Sequence, residues 1–177
     1  AAFGGFQYMQ FHPDHTVSID PIICLPETKR KLEKRLLLFY TGVTRSADSI
    51  LVMQRRNMEK AKDKITTMHQ MVLFAKRMRE DLSGNSLREF GSLLHANWQL
   101  KKTMADAVTT EQIDRWYEAA RQHGAIGGKL LGAGGGGFLL LYAQRRNHES
   151  IRACLSELIP LTVAFEPEGS KIIFVGE

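Results

Sequence analysis

Gly124-Ala-Ile-Gly-Gly-Lys-Leu-Leu-Gly-Ala-Gly-Gly-Gly-Gly137, followed at once by Phe138-Leu-Leu-Leu-Tyr142, gathers eight of the chain's 15 glycines into one stretch. Glycines remove Cβ atoms, so backbone approaches a ligand or another loop closely. They also permit positive φ, so that successive N–H groups point into one concavity that holds anions. A flexible linker is polar on both sides. This run is clamped between Leu130-Leu131 and the apolar Phe138 to Tyr142, which marks a shaped loop anchored in a core. Gly132, Gly134 and Gly137 satisfy G-x-G-x-x-G, but a dinucleotide site needs a strand before the glycines and a helix after them. Here Tyr117 to Gln122 reads as helix beforehand and Phe138 to Tyr142 as strand afterwards. The Walker pattern fails too, because Leu130 follows Gly128-Lys129 where a hydroxyl residue is required and His123 stands at the first glycine position. A protein-kinase glycine loop would be followed by a lysine strand, a catalytic loop and a metal motif, none of which occurs downstream.

Outward from the loop, the hydrophobic pattern supplies the elements. Leu36 to Tyr40 is a short continuous apolar run before Gly42, the pattern of a buried strand. Ile65, Met68, Val72, Ala75, Met78 and Leu82 recur at three- and four-residue spacings and predict a helix with one apolar stripe, closed by Ser83-Gly84-Asn85. Before it, Ser46-Ala-Asp-Ser opens a helical segment running past Lys60. Leu87, Phe90, Leu94 and Trp98 predict a further helix, and Thr110 starts another that ends at Gly124, a C-cap. Downstream, Asn147 to Ile159 reads as a helix stopped by Pro160, and Thr162–Phe165 and Lys171–Val175 as a terminal hairpin. Upstream, two strands flank the turn His12-Pro13-Asp14-His15, and Glu27 to Arg35 is a charged connection. Strands and helices mixed in this order imply an α+β fold, a sheet with helices packed on one face. The boundary between units falls near Pro26 to Lys34.

The 177 residues are 44% hydrophobic and 24% charged, with a formal net charge of +5. That is enough for one core, or a domain with part of another. The positive balance suits anionic ligands. It does not indicate nucleic acid, since Arg55, Arg56, Lys60, Lys62 and Lys64 alternate with Glu59 and Asp63 as on a solvated helix face. Cys24 and Cys154 are the only cysteines, far apart and without a disulfide framework, as in a reducing, cytoplasmic compartment. No apolar run approaches the roughly 20 residues that span a bilayer, so no membrane partner is expected.

Gly-Gly-Lys-Leu-Leu-Gly-Ala-Gly-Gly-Gly-Gly-Phe, residues 127–138, resembles the third signature motif of the GHMP kinases (galactokinase, homoserine kinase, mevalonate kinase, phosphomevalonate kinase), in the version found among D-glycero-D-manno-heptose 7-phosphate kinases. Thr41-Gly-Val-Thr-Arg-Ser-Ala and His95-Ala-Asn-Trp-Gln-Leu-Lys-Lys are similar to that branch, and Ala1-Ala-Phe-Gly-Gly-Phe resembles the stretch just after the family's catalytic aspartate. The resemblance implies an antiparallel, ferredoxin-like sheet with helices on one face for residues 31–177. Residues 1–30 would be the final strands, a short β-hairpin, of the amino-terminal domain. It implies transfer of a phosphoryl group from ATP, with Mg2+, to C1 of a heptose 7-phosphate for surface-polysaccharide precursors. The family's main phosphate loop, Pro-x-x-x-Gly-Leu-Gly-Ser-Ser, and its catalytic aspartate have no counterpart in the chain. No catalytic residue is therefore assigned, and the missing amino-terminal half of the same kinase is the expected partner. Without that half the chain is expected to be inactive.

On this resemblance the nucleotide region is Gly132, Ala133, Gly134, Gly135, Gly136 and Gly137. A second phosphate on the sugar calls for a cation. Arg45 in the Thr-Gly-x-Thr-Arg turn and Lys129 are the candidates, with Thr41 beside them as a substrate contact. No metal ligands are assigned: His12 and His15 decorate a turn. Trp98, Trp116 and the Met68, Met71, Met78 stripe read as core, and Asn97 as a helix-surface amide. Two other functions stay open: a kinase of the same family acting on fucose, galactose or a mevalonate intermediate, and a non-catalytic module that binds a small ligand. Homo-oligomers are compatible with everything read so far.

Overall fold

The computed structural model describes residues 3–43, 52, 53, 55–57 and 62–171. Strands β1 (Gln7–Phe11) and β2 (Val17–Pro21) form an antiparallel hairpin that pairs with no other strand among the described residues. Helix α1 (Pro26–Glu33) follows, then β3 (Leu36–Tyr40), α2 (Lys62–Ser83), α3 (Phe90–Lys102) and α4 (Glu111–Gln122). Strands β4 (Ala125–Leu131) and β5 (Phe138–Ala143), helix α5 (His148–Cys154) and strand β6 (Ile159–Leu161) complete the order. The main sheet runs β4-β5-β3-β6 with every neighbour antiparallel. Ranked by chain order, its strands read second, third, first, fourth across the sheet, which is the split β-α-β arrangement of ferredoxin-like folds.

The period of two along β3 and β5 divides the core. Leu37 and Phe39 with Leu139, Leu141 and Ala143 face Trp98, Ile113, Trp116, Tyr117, Ile151 and Leu155 beneath α3, α4 and α5. Both tryptophans and Tyr117 are buried, as the sequence implies for the tryptophans. On the other face, Leu36 and Tyr142 join Leu32 of α1, Leu82 of α2 and Leu94 of α3, and the base of the hairpin reaches them through Phe6 and Ile22. The outer end of the hairpin leaves Met9, Phe11 and Val17 exposed.

Four expectations change. Residues 26–33 are a helix, not a connection: Pro26 occupies the first helical position, Glu27 the first turn, and Thr28 and Leu32 are buried one turn apart. Ala125–Leu131 is a strand inside what reads as glycine loop, so a strand does precede the glycines; the dinucleotide pattern still fails because another strand, not a helix, follows. The last helix stops at Cys154, and Pro160 sits within β6, where an edge strand tolerates its missing N–H. Thr162–Phe165 is not a strand; β6 lies just before it, and Phe165 instead packs edge-on against Phe6. Of the predicted final strand only Lys171 is described. The helix read from Ser46 past Lys60 lies largely outside the described residues, although Val52, Met53 and residues 55–57 are helical. The α2 helix forms as read, but its stripe is rotated: Met68, Met71 and Met78 are half-buried while Ile65, Val72 and Ala75 are exposed.

Candidate functional site

The glycine bend is the turn between β4 and β5, whose last pair is Leu131 with Phe138. It does not project into solvent. Gly135 and Gly136 are buried, and Ala133 packs against the main core. Positive φ values at Gly132 (91°), Gly134 (129°), Gly135 (72°) and Gly137 (100°) bring it between two backbone walls. One wall is the 3-10 turn Asp106–Val108: the Gly135 amide donates to the Val108 carbonyl at 3.0 Å, and a Cβ on Gly134 would lie 2.6 Å from that oxygen. The other is the turn after β3: the Gly137 amide donates to the Val43 carbonyl at 2.8 Å, and a Cβ on Gly136 would lie 2.4 Å from it. With these bonds made, the amides of Ala133, Gly134 and Gly136 have no partner among the described residues.

Thr41 is buried at the end of β3 and its hydroxyl is committed to the loop, donating to the Gly137 carbonyl at 2.9 Å. Val43 packs on Gly136; Arg45, two residues on, lies outside the described residues. Lys129 is half-buried in β4, three residues before the bend, and burial lowers its ammonium pKa. Lys101, which the sequence reading passed over, comes from the last turn of α3, and its Nζ donates to the Gly132 carbonyl at 2.6 Å. Burial, then the charge of Lys129, brings its pKa down to about 8. The signal for it was a Lys-Lys pair ending an apolar helix in a segment already similar to the heptose kinase branch, but only tertiary packing shows which lysine turns to the loop. Lys102 turns to Asp114 at 3.1 Å instead.

The other candidates fall where the sequence puts them or nearby. His12 bonds Ser18 in the hairpin, at 2.8 Å, and no group of three or more His, Cys, Asp or Glu among the described residues could hold a metal ion. Asn97 donates to the Met71 carbonyl at 3.2 Å, tying α3 to α2. No helix among the described residues is long and apolar enough to cross a membrane. A cavity of about 550 Å³ lies at the opposite end of β3 among Lys34, Leu36, Arg145, His148 and Arg152, away from the bend.

Residues 78–161 match the protein family described as GHMP kinases C terminal. The chain is 29% identical over 158 residues to D-glycero-alpha-D-manno-heptose 7-phosphate kinase of Campylobacter jejuni, covering 89% of the chain and 46% of that protein. It is likewise 29% identical over 148 residues to mevalonate kinase of Thermococcus onnurineus, covering 80% of the chain and 44% of that protein. The crystal structure of a putative sugar kinase from Campylobacter jejuni superposes with a TM-score of 0.69 at 26% identity, over 94% of this chain and 47% of that one. The chain thus spans just under half the length of these relatives.

Proposed function

We propose that this chain, whose residues 78–161 match the GHMP kinases C terminal family, forms one half of an ATP-dependent sugar kinase, the half whose glycine bend closes over the reacting phosphates. GHMP kinases are phosphotransferases. The observation that carries the reading is the bend itself, held from both sides by carbonyls and by Thr41 while three of its amides have no partner among the described residues. Amides fixed in this way need no reorganisation when negative charge arrives, and phosphoryl transfer is governed by positioning and charge neutralisation. Gly132 to Gly137 would hold the triphosphate by backbone donors, and Lys129, with Arg45 and Thr41 on the β3 side, would face the sugar phosphate. ATP supplies the transferred γ-phosphoryl group. Mg2+, when bound, would offset charge on the nucleotide's β and γ oxygens; the described residues offer no carboxylate cluster for it.

The preferred acceptor is C1 of D-glycero-D-manno-heptose 7-phosphate, supported by the 29% identity to the heptose 7-phosphate kinase over most of the chain. In this reading the enzyme works in the cytoplasm and supplies precursors of surface polysaccharide. Equal identity to a mevalonate kinase favours a second reading, in which the domain serves another acceptor such as mevalonate. The proposed division puts residues 1–30, which carry the hairpin, with an amino-terminal domain and residues 31–177 in the carboxy-terminal domain; the separate two-stranded sheet supports it. In this reading the phosphate loop and catalytic aspartate come from the amino-terminal half. The test is ATP consumption by the full-length protein with heptose 7-phosphate, free fucose, free galactose and mevalonate. Activity on the heptose phosphate is expected; activity confined to one of the others reassigns the substrate, and none on any rejects the kinase.

A further inference from the structure

Two half-buried ammonium groups beside one loop are an electrostatic liability unless something negative joins them. Lys101 reaches the bend from α3, and Lys129 of β4 stands three residues before it, near enough for its charge to act on Lys101; neither has a carboxylate within ion-pair distance among the described residues. The surrounding charges are already engaged. Lys102 is paired with Asp114 of α4, and Lys64 of α2 donates to the Thr103 carbonyl at 2.7 Å. Farther along α3 and α4, His95 bonds the Tyr117 hydroxyl, and Arg121 donates to the Ala125 carbonyl. Asp106, in the turn after α3, is exposed and forms no ion pair with either lysine. The one bond Lys101 makes among the described residues is to a neutral carbonyl, Gly132, beside amides that have no partner among those residues. A phosphate dianion offers both lysines the charge-assisted partner they lack, and an ammonium has two further protons to give besides the one on Gly132.

We propose that Lys101 and Lys129 together form a phosphate cradle at the mouth of the glycine bend, with Lys101 a ligand-binding residue in its own right rather than only a clasp on Gly132. The ligand class is a phosphate monoester or polyphosphate, the chemistry shared by the nucleotide and the sugar phosphate. The assignment of a sugar-kinase ligand rests on the function proposed above; the cradle itself rests on the two lysines. Burial of both ammonium groups supports the same conclusion, since burial and then the charge of Lys129 disfavour the Lys101 ammonium and a bound anion offsets both.

The experiment is NMR titration of the full-length protein labelled with [13Cε]lysine, the Lys101 signal being identified by its loss in Lys101→Arg. Free protein is compared with protein saturated by inorganic phosphate, by ATP, or by heptose 7-phosphate. The expected result is a Lys101 titration well below that of ordinary lysines, moved upward by at least one of the three. Lys101→Met is expected to weaken binding of that anion by about tenfold or more, as loss of a charge-assisted bond requires, while Lys102→Met leaves it unchanged. Whichever of ATP and the sugar phosphate loses more affinity identifies the source of the phosphate. An ordinary titration in the free protein, or a depressed one that no anion moves, overturns the cradle. A kinase that works while Lys101 ignores every anion removes the cradle alone; an anion response without kinase activity removes the activity alone.

Discussion

One hydroxyl joins Thr41 to Gly137 twice, donating to the glycine carbonyl at 2.9 Å and accepting from its amide at 3.1 Å. Both glycine groups also have backbone partners: the carbonyl accepts from the Thr41 amide at 2.9 Å, and the amide donates to Val43. Thr41→Val therefore orphans neither group and is expected to cost only about 1 kcal/mol, the net value of an ordinary hydrogen bond. Thr41→Ser retains the hydroxyl and should cost less. Urea unfolding midpoints measure both. A loss of sugar-phosphate affinity in Thr41→Val far beyond its loss of stability would mean that the hydroxyl also meets the substrate.

Gly127 and Gly91 set the spacing between β4 and α3. A Cβ on Gly127 would lie 1.9 Å from the Gly91 carbonyl oxygen, a backbone atom that cannot turn aside. Gly127→Ala is thus expected to push the helix off the strand and destabilise by about 1–3 kcal/mol or more. Gly132 has open space where its Cβ would go, so Gly132→Ala suffers only from its positive φ, roughly 1–2 kcal/mol. Thermal unfolding should rank Gly127→Ala below Gly132→Ala; the reverse order would place the strain in the bend and not in the helix contact.

Gly127, with Gly128 beside it, explains why β4 was invisible in the sequence. Gly127 and Gly128 are poor strand formers and sit in a run that reads as one long loop, yet the strand needs them because a helix backbone and the Leu140 carbonyl press against it. In contrast, β3 and β5 announce themselves by unbroken apolar runs, and α3 and α4 by spacing and by the Thr110 cap, whose side chain accepts from the Ile113 amide. Helix α1 was masked by its charges, its only apolar anchor being Leu32. The loop half of the site was legible because glycine content marks a backbone requirement. The Lys101 half was not: a lysine at a helix end is normally solvated, and its approach to Gly132 depends on how α3 crosses β4.

Two histidines should make stability fall on the acid side. Burial holds the pKa of His95 and of His148 below the ordinary 6.5, with Arg121 near the first and Arg152 and Arg145 near the second adding to the effect. Below 6.5 the unfolded chain takes up protons that the folded chain resists, so the unfolded state binds more and stability drops as pH falls from that value. Above it the contribution is complete. Urea midpoints at intervals from pH 7.5 to pH 5 should show this slope, reduced in His148→Gln. A midpoint that stays level through this range, with acid loss beginning only where carboxylates titrate, would show that neither imidazole is held neutral.

Lys101 makes the opposite end of the pH scale informative. Its pKa is about 8 in the folded chain against 10.5 for an ordinary lysine, so between those values the unfolded chain holds a proton that the folded chain has released. The unfolded state then binds more protons, and stability rises with pH across that window; below it, the buried charge works against the fold in full. Lys129, also desolvated, acts in the same direction. Lys101→Met should accordingly be more stable than the parent at pH 7, with the difference shrinking toward pH 10.5 as the parent loses its proton. A saturating phosphate ligand should abolish the rise in the parent, because the bound anion restores the ammonium, and should leave the methionine variant's flatter profile little changed. A rise that persists at full strength in Lys101→Met would assign the alkaline effect to Lys129 or another group and leave Lys101 an ordinary surface cation.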